Sequence, residues 1–470
     1  MKRKINFNIL LISSFISILA LILLFIFLNT FIHTKVVGVN LDGGNNNASI
    51  SKQQIRIDFN RPIKKETIEN NIIIEPEIKF RSLWSGNTLV IIPDKSLDSQ
   101  TKYTLIIKKD IIDIYGDTLT EDFNYEFTTE IPKFAVVEKT PGSNLDTIAI
   151  YNADQTGRQQ LLQRENIIFY GINSNYLVVV TEDKYKNNIE ILNRNTGEIK
   201  NFNLSSTKIN SFTFSPSKYK NEFAYINQEI EVYPTYYLPR SDAKVYVYNI
   251  DTQEEKEFNP QDTAKDVAFI EYSRDGSSLL YKTGDSFFNL AETDQQDEYV
   301  GIGRFLANGN FNYDNTLVAL INFDPLNTYT VAQFITVFDS DRNTRQITNG
   351  DTPALDPQFK NRTNEILYAE FWKELPTTKG IYKIVQTDLE GNKVDIIKSE
   401  NFSLELPTIS ADDRYIAMEQ YTEINLKDYS KIRNYGFQNK PYSGSIIVFD
   451  TITNKVYDNK LIGINVKWLN

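Results

Sequence analysis

The sequence predicts an all-β chain: an N-terminal transmembrane helix, a β-sandwich, and then a β-propeller of about seven blades. Three observations carry that expectation. An uncharged apolar run opens the chain, alternating strands with polar turns fill residues 36–130, and one short unit recurs between Ile148 and Asn470. The unit has an opening strand, as in Phe212-Thr-Phe-Ser-Pro-Ser217, and a later hairpin, as in Val245-Tyr-Val-Tyr-Asn-Ile-Asp-Thr-Gln-Glu254. A period of roughly 40 to 60 residues with several short strands suits a propeller blade, because one blade cannot bury both faces of its sheet alone.

From Ile9 to Leu28 no residue carries a formal charge, and Ile, Leu and Phe dominate. Twenty such residues at about 1.5 Å rise reach roughly the 30 Å of a bilayer core. The expectation is a transmembrane helix over 8–32 and a cytoplasmic tail over 1–7, because Lys2, Arg3 and Lys4 favour the inner side. The bulk of the chain then lies outside a cytoplasmic membrane. A cleaved signal peptide is the alternative. Its apolar region would be about 7 to 15 residues long and end in paired small residues, which Leu28-Asn-Thr-Phe-Ile-His-Thr34 does not offer.

Residues 36–130 alternate apolar and polar positions in Gln54–Asn60, Asn71–Glu75, Thr88–Pro93, Tyr103–Lys108 and Phe123–Thr128. About seven short strands in a segment of this size read as a β-sandwich. Pro62 lacks a backbone donor and suits an edge or strand end, Gly116 suits a turn with positive φ, and Trp84 and Tyr103 are expected as core or strand-edge aromatics. Four pieces also carry a family resemblance: Ile57-Asp-Phe-Asn-Arg-Pro-Ile63, Trp84-Ser-Gly-Asn-Thr-Leu-Val90, Tyr103-Thr-Leu with Asp113-Ile-Tyr-Gly-Asp-Thr-Leu119, and Phe127-Thr-Thr129. The segment resembles the bacterial Ig-like domain of the S-layer protein type. That resemblance implies a spacer or adhesion module without catalytic residues, one that projects the distal domain away from the membrane.

Ile131-Pro-Lys133 is a hinge, and the propeller is expected over 134–470. Hairpin turns align at Asn152–Gly157, Asn193–Gly197, Asn249–Gln253, Asp339–Asn343, Thr387–Gly391 and Asp450–Asn454, with a weaker copy at Glu292–Gln296. Asn, Asp and Gly recur there because they tolerate left-handed backbone and close local hydrogen bonds. Opening strands align at Thr213–Pro216, Glu271–Gly276, Asn312–Asn315, Pro357–Phe359 and Thr408–Arg414. They resemble, in degenerate form, the units of Tol-type (WD40-like) propellers and of peptidase propeller domains. Asn465-Val-Lys-Trp-Leu-Asn470 reads as an opening strand with no blade after it, so pairing of the last strand into the first blade is expected to close the ring.

Composition narrows the chemistry. A chain of 470 residues exceeds one core. Cysteine is absent, which excludes disulfides, thiolate zinc and a cysteine nucleophile. His33 is the sole histidine, so a serine–histidine–acid triad or a multi-histidine metal site cannot form in the outer domains. No cofactor or metal is expected. Asp339-Ser-Asp-Arg-Asn343 opens like a calcium loop, but Thr344 and Gly350 stand where glycine and glutamate belong. Asp412-Asp413 and Glu254-Glu255 read as solvated turns. The net charge of −11 argues against a nucleic-acid partner.

The links between second and third strands of the repeats emerge on one face of a propeller, and the long ones carry aromatics: 232–240, 323–330, 371–376 and 421–442. Tyr233, Tyr236, Tyr237, Trp372, Tyr429, Tyr435 and Phe437 are the expected partner-binding residues, because Tyr and Trp give large contact area with a polar handle. Folding of these loops back onto their own blades is the competing reading. The expectation is a membrane-anchored, extracytoplasmic binding module without enzymatic activity, presenting its propeller to a protein or envelope polymer. The alternatives are a carboxylate-dependent glycosidase or lyase, which would need convergent Asp, Glu, Arg or Tyr along the central channel, and a purely structural envelope component.

Overall fold

The computed structural model describes residues 11, 13–22, 33–41, 47–48, 54–68, 71–140, 143–184, 186–203, 207–217, 220–233, 237–239, 241–258, 267–282, 287–292, 299–304, 307–323, 333–339, 341, 343–349, 352–373, 380–400, 402–422 and 444–469. Two compact units divide the chain, Met1–Glu130 and Ile131–Asn470. Among the described residues no helix is long and apolar enough to cross a membrane. Of the helix expected over 8–32, residue 11 and residues 13–22 are described, and they are helical. The remainder of 8–32 lies outside the described residues.

In the first unit two four-stranded sheets face each other. One runs Val36–Leu41, Ile55–Phe59, Thr88–Pro93, Phe80–Ser85, and the other Asn47–Ala48, Phe123–Thr129, Lys102–Ile107, Ile72–Glu75. Alternation does the sorting: Ile55, Ile57 and Phe59 point into the core while Arg56 between them is exposed, and Tyr103, Leu105 and Ile107 repeat the pattern opposite. These residues share one core. Trp84 lies 6.1 Å from Phe59 and Tyr103 stacks on Phe127 at 5.5 Å, so both aromatics pack as expected. Gly116 takes φ +90° in the turn after Asp113.

That turn is anchored by a buried ion pair. Arg61 Nη1 donates to Asp113 Oδ2 at 3.1 Å, and Thr34 Oγ1 donates to the same oxygen at 2.9 Å. The other carboxylate oxygen accepts the Tyr115 and Asp117 amides at 2.8 and 2.9 Å. Burial opposes ionisation of Asp113, but the amides, Thr34 and Arg61 outweigh it and hold the pKa below its ordinary value.

The second unit is a β-propeller. Among the described residues it contains seven sheets, each built as a meander of neighbouring antiparallel strands. The first holds Gly463–Trp468, Lys133–Lys139, Leu145–Asn152 and Gln159–Glu165 in spatial order. The remaining six follow in chain order and open with Ile167–Ile172, Thr207–Phe214, Phe269–Tyr272, Ala307–Phe311, Ala354–Phe359 and Phe402–Ile409. The expected turns sit between third and fourth strands; Asn193, for example, accepts from the amides of Asn195 and Thr196 through its side chain. The weak copy at Glu292–Gln296 falls mostly outside the described residues. The second strand of the second sheet is a nearly continuous apolar run, with Leu177, Val178, Val179 and Val180 all buried because both its faces are covered. Shared apolar cores join each sheet to the next, and another joins Phe134 and Val136 of the first sheet to Tyr415, Ala417 and Val448 of the seventh.

Candidate functional site

Among the links between second and third strands, the one after Glu222–Val232 builds a two-stranded arm. That strand pairs with Lys244–Asn249 only as far as Asn227, and beyond it Tyr237–Pro239 folds back along Ile230–Val232, with Tyr237 opposite Val232. Tyr237 is therefore in the return strand of the arm, and half-buried Tyr233 follows the outgoing strand. Trp372 is not in a loop. It pairs with Ile381 inside the ladder of Ile366–Lys373 and Gly380–Thr387, which corrects its expected place in the link 371–376. Neighbouring Phe371 packs on Tyr382 at 4.7 Å, the folding-back that the competing reading anticipates. Tyr236, Tyr429, Tyr435 and Phe437 lie outside the described residues.

A second constellation, not anticipated residue by residue, lies along the opening strands. These edge strands touch in succession from sheet to sheet, so the side chains that alternate away from the sheet cores are gathered together. Thr213, Glu271 and Lys467 occupy that register in the third, fourth and first sheets. Thr213 hydrogen-bonds the Glu271 carboxyl, and the Lys467 ammonium lies 5.5 Å from the Tyr170 ring centre. Burial raises the Glu271 pKa to about 7, against the opposing pull of Lys467, Arg274 and Thr213. Burial likewise depresses the Lys467 pKa, with Glu271 acting in the other direction. The Tyr170 hydroxyl lies 2.9 Å from the Ala135 carbonyl and 2.7 Å from that of Asn465, and its pKa is raised by burial and by Glu419. Glu419 in turn accepts the Asn465 amide at 2.6 Å and the Tyr421 hydroxyl.

At the turns that follow the opening strands, Arg274 clasps three sheets. Its Nε donates to the Phe311 carbonyl at 2.9 Å, its Nη2 to the Phe359 carbonyl at 2.8 Å, and its Nη1 to Asn361 Oδ1. Asn361 passes the connection on: its Nδ2 donates to the Ser410 carbonyl, and its amide, with that of Arg362, donates to Asp413. Asp412 is also committed, accepting from Ser410 Oγ at 2.5 Å. The reading of Asp412-Asp413 as a solvated turn is thereby corrected, because both carboxylates are drawn into the protein by hydrogen bonds.

A sequence signal for the axial residues does exist. Thr213, Glu271 and Lys467 each precede the aromatic that ends an opening strand, namely Phe214, Tyr272 and Trp468, and Asn310 before Phe311 and Gln358 before Phe359 continue the series. A polar residue at one fixed register of a repeat, beside an aromatic that packs inward, marks an axis-facing position.

Residues 33–129 match the family model of the bacterial Ig-like domain. No curated protein matches the chain. Among solved structures, the chain is similar to a prolyl endopeptidase (9% identity, TM-score 0.49, covering 72% of this chain and 50% of that one) and to a putative TolB from Agrobacterium tumefaciens (12% identity, TM-score 0.40, 61% and 99%). It is also similar to the tricorn protease (12% identity, TM-score 0.38, 90% and 49%). The chain thus spans about half the length of the two peptidase chains. The expectation of a protein without enzymatic activity is corrected: peptidases stand among its structural neighbours, and a fold shared with enzymes does not exclude chemistry on the strength of a histidine count. The chain thus carries a segment that matches the bacterial Ig-like family model, followed by a β-propeller.

Proposed function

We propose that the chain is anchored in a cytoplasmic membrane through residues 8–32, with its Ig-like domain and propeller outside, and that the propeller is a closed ring of seven blades that binds a protein or an envelope polymer. Closure draws support from Gly463–Trp468 pairing with Lys133–Lys139 and from the core shared by first and seventh sheets. The observation that carries the binding reading is the arm of Ile230–Val232 and Tyr237–Pro239, which extends beyond the sheet's third strand and brings Tyr233 and Tyr237 with it. The test is in-cell crosslinking with mass spectrometry of partners, beside a folded variant carrying Tyr236, Tyr237 and Trp372 changed to Ala. Loss of one partner in the variant supports the reading, and an unchanged partner set refutes it. A second reading, carboxylate chemistry along the axis, is favoured by the meeting of Glu271, Lys467 and Tyr170 there. Turnover of an envelope polysaccharide that Glu271→Gln abolishes would carry it.

A further inference from the structure

Among the described residues of the Ig-like domain, four large apolar side chains stand in solvent: Val37, Leu83, Ile114 and Tyr115. Exposed apolar residues scattered singly are ordinary. Ile114 and Tyr115 are not scattered; they are consecutive, 52% and 61% exposed, and together form the tip of one turn. That turn is held from beneath. Asp113, fully buried, accepts from Arg61, Thr34 and the amides of Tyr115 and Asp117, and the Arg61 guanidinium lies 5.2 Å from the Tyr115 ring centre. The Ile114 amide donates to the Pro62 carbonyl at 3.0 Å. With its backbone fixed on both sides, the turn presents the two side chains outward.

The same turn clasps the residues through which the chain enters the domain. Thr34 bridges Leu119, its amide donates to Asp117 Oδ2 at 3.2 Å, and His33 Nδ1 lies 3.3 Å from that oxygen. Asn60 Nδ2 donates to the His33 carbonyl at 2.9 Å. His33 directly follows residue 32, where the proposed anchor ends, and stands five positions after Leu28, the last residue of the uncharged run. Five residues reach at most about 18 Å, so the clasp ties Ile114 and Tyr115 close to the surface of the bilayer. Exposed Lys35 and Lys64 flank the turn: Lys35 follows Thr34, and the Lys64 amide donates to the Ile112 carbonyl at 2.8 Å. An aliphatic side chain, a tyrosine and flanking lysines are the composition that a membrane interface favours.

We propose that the turn Asp113–Leu119 is a foot that seats the Ig-like domain on the lipid surface, with Ile114 and Tyr115 entering the headgroup–acyl boundary of the membrane that holds the anchor. The proposal rests on the anchor reading above. Tyr115 suits the boundary because its ring takes the apolar side and its hydroxyl the wet side. Seated in this way, the domain leaves the membrane in one set direction, which a single helix and a short connection alone would leave free.

The chain has no cysteine, so a single one can be labelled cleanly. Full-length protein carrying Thr118→Cys, an exposed position on the same turn, is labelled with the fluorophore NBD and reconstituted into phosphatidylcholine vesicles. The control is Lys79→Cys, exposed before Phe80–Ser85 at the end of that strand away from Asp58. Emission at 118 is expected to shift to the blue, and nitroxide lipids should quench it about threefold more than emission at 79, as for insertion of about 5–10 Å. Adding Ile114→Ser and Tyr115→Ser to the Thr118→Cys protein should remove about half or more of that quenching, with the thermal transition retained because both side chains are exposed. Quenching at 118 no greater than at 79, or unaltered by the two serines, overturns the foot and leaves the anchor standing. A blue shift without lipid quenching points to a second copy of the chain on the turn and overturns it too. Protein that an alkaline wash strips from the vesicles refutes the anchor, and the foot with it.

Discussion

Gln155 and Asn459 meet although 304 positions separate them: the Asn459 amide donates to Gln155 Oε1 at 2.7 Å. The other end of the same side chain, Nε2, donates to the Ile446 carbonyl at 2.7 Å. One buried glutamine in a turn of the first sheet thus satisfies two backbone groups of the seventh. Gln155→Ala leaves both unsatisfied and should cost about 1–3 kcal/mol. The check is chemical denaturation, with an unchanged m-value expected. A loss below about 0.5 kcal/mol would show that water replaces the amide without penalty.

Arg274 is expected to be intolerant of lysine. A planar guanidinium reaches the Phe311 and Phe359 carbonyls and Asn361 together, whereas an ammonium on a linear stem cannot. Arg274→Lys should lower stability by about 2 kcal/mol or more, and hydrogen exchange should quicken in the turns at 312–316 and 360–365 before it does in the first two sheets.

In the Ig-like domain, Asp113→Asn should cost about 3 kcal/mol or more, because Arg61 is left as a buried charge without its partner. Ionised Asp113 has a folded pKa below its unfolded value, so its contribution is present above about pH 4 and is lost as pH falls through the folded pKa. Acid unfolding followed by tryptophan emission near Trp84 should therefore begin at higher pH in a variant whose Thr34 hydroxyl is removed.

Glu271 reverses that sign. Its pKa rises from an ordinary 4.5 to about 7 on folding, so the folded propeller binds the proton more tightly, and stability falls as pH rises between those values and levels off above. Glu271→Gln removes this decline. At pH 8 the variant should be more stable than the parent by on the order of 1–3 kcal/mol and near parity at pH 4. Equal pH profiles would place Glu271 in contact with bulk water.

What was legible in the sequence is what depends on neighbours along the chain. The turns at Asn193–Gly197 and Asp450–Asn454 announce themselves because the first residue caps its own turn through its side chain. Alternation at Ile55, Ile57 and Phe59 gives a buried face directly. Contacts distant in sequence are silent in that code. Arg61 and Asp113 both belong to recognisable motifs, yet nothing in either motif states that they pair. Glu271 and Lys467 look like ordinary outward charges of half-exposed strands, and only their shared place before an aromatic sets them apart. Trp372 lies in a ladder and not in the expected link because cross-strand pairing, which the sequence does not spell out, carries the strand on to Lys373.

The seating of Gly463–Trp468 against Lys133–Lys139 has a temporal side. Val137 meets Ile464, so a strand made early waits on the ribosome for a neighbour made some three hundred residues later. Until then Lys133–Lys139 offers a bare row of amides and carbonyls to any passing strand. Synthesis of this protein is thus a race between the final strand and foreign ones, and a chaperone that shields that single edge would decide how much of the product folds.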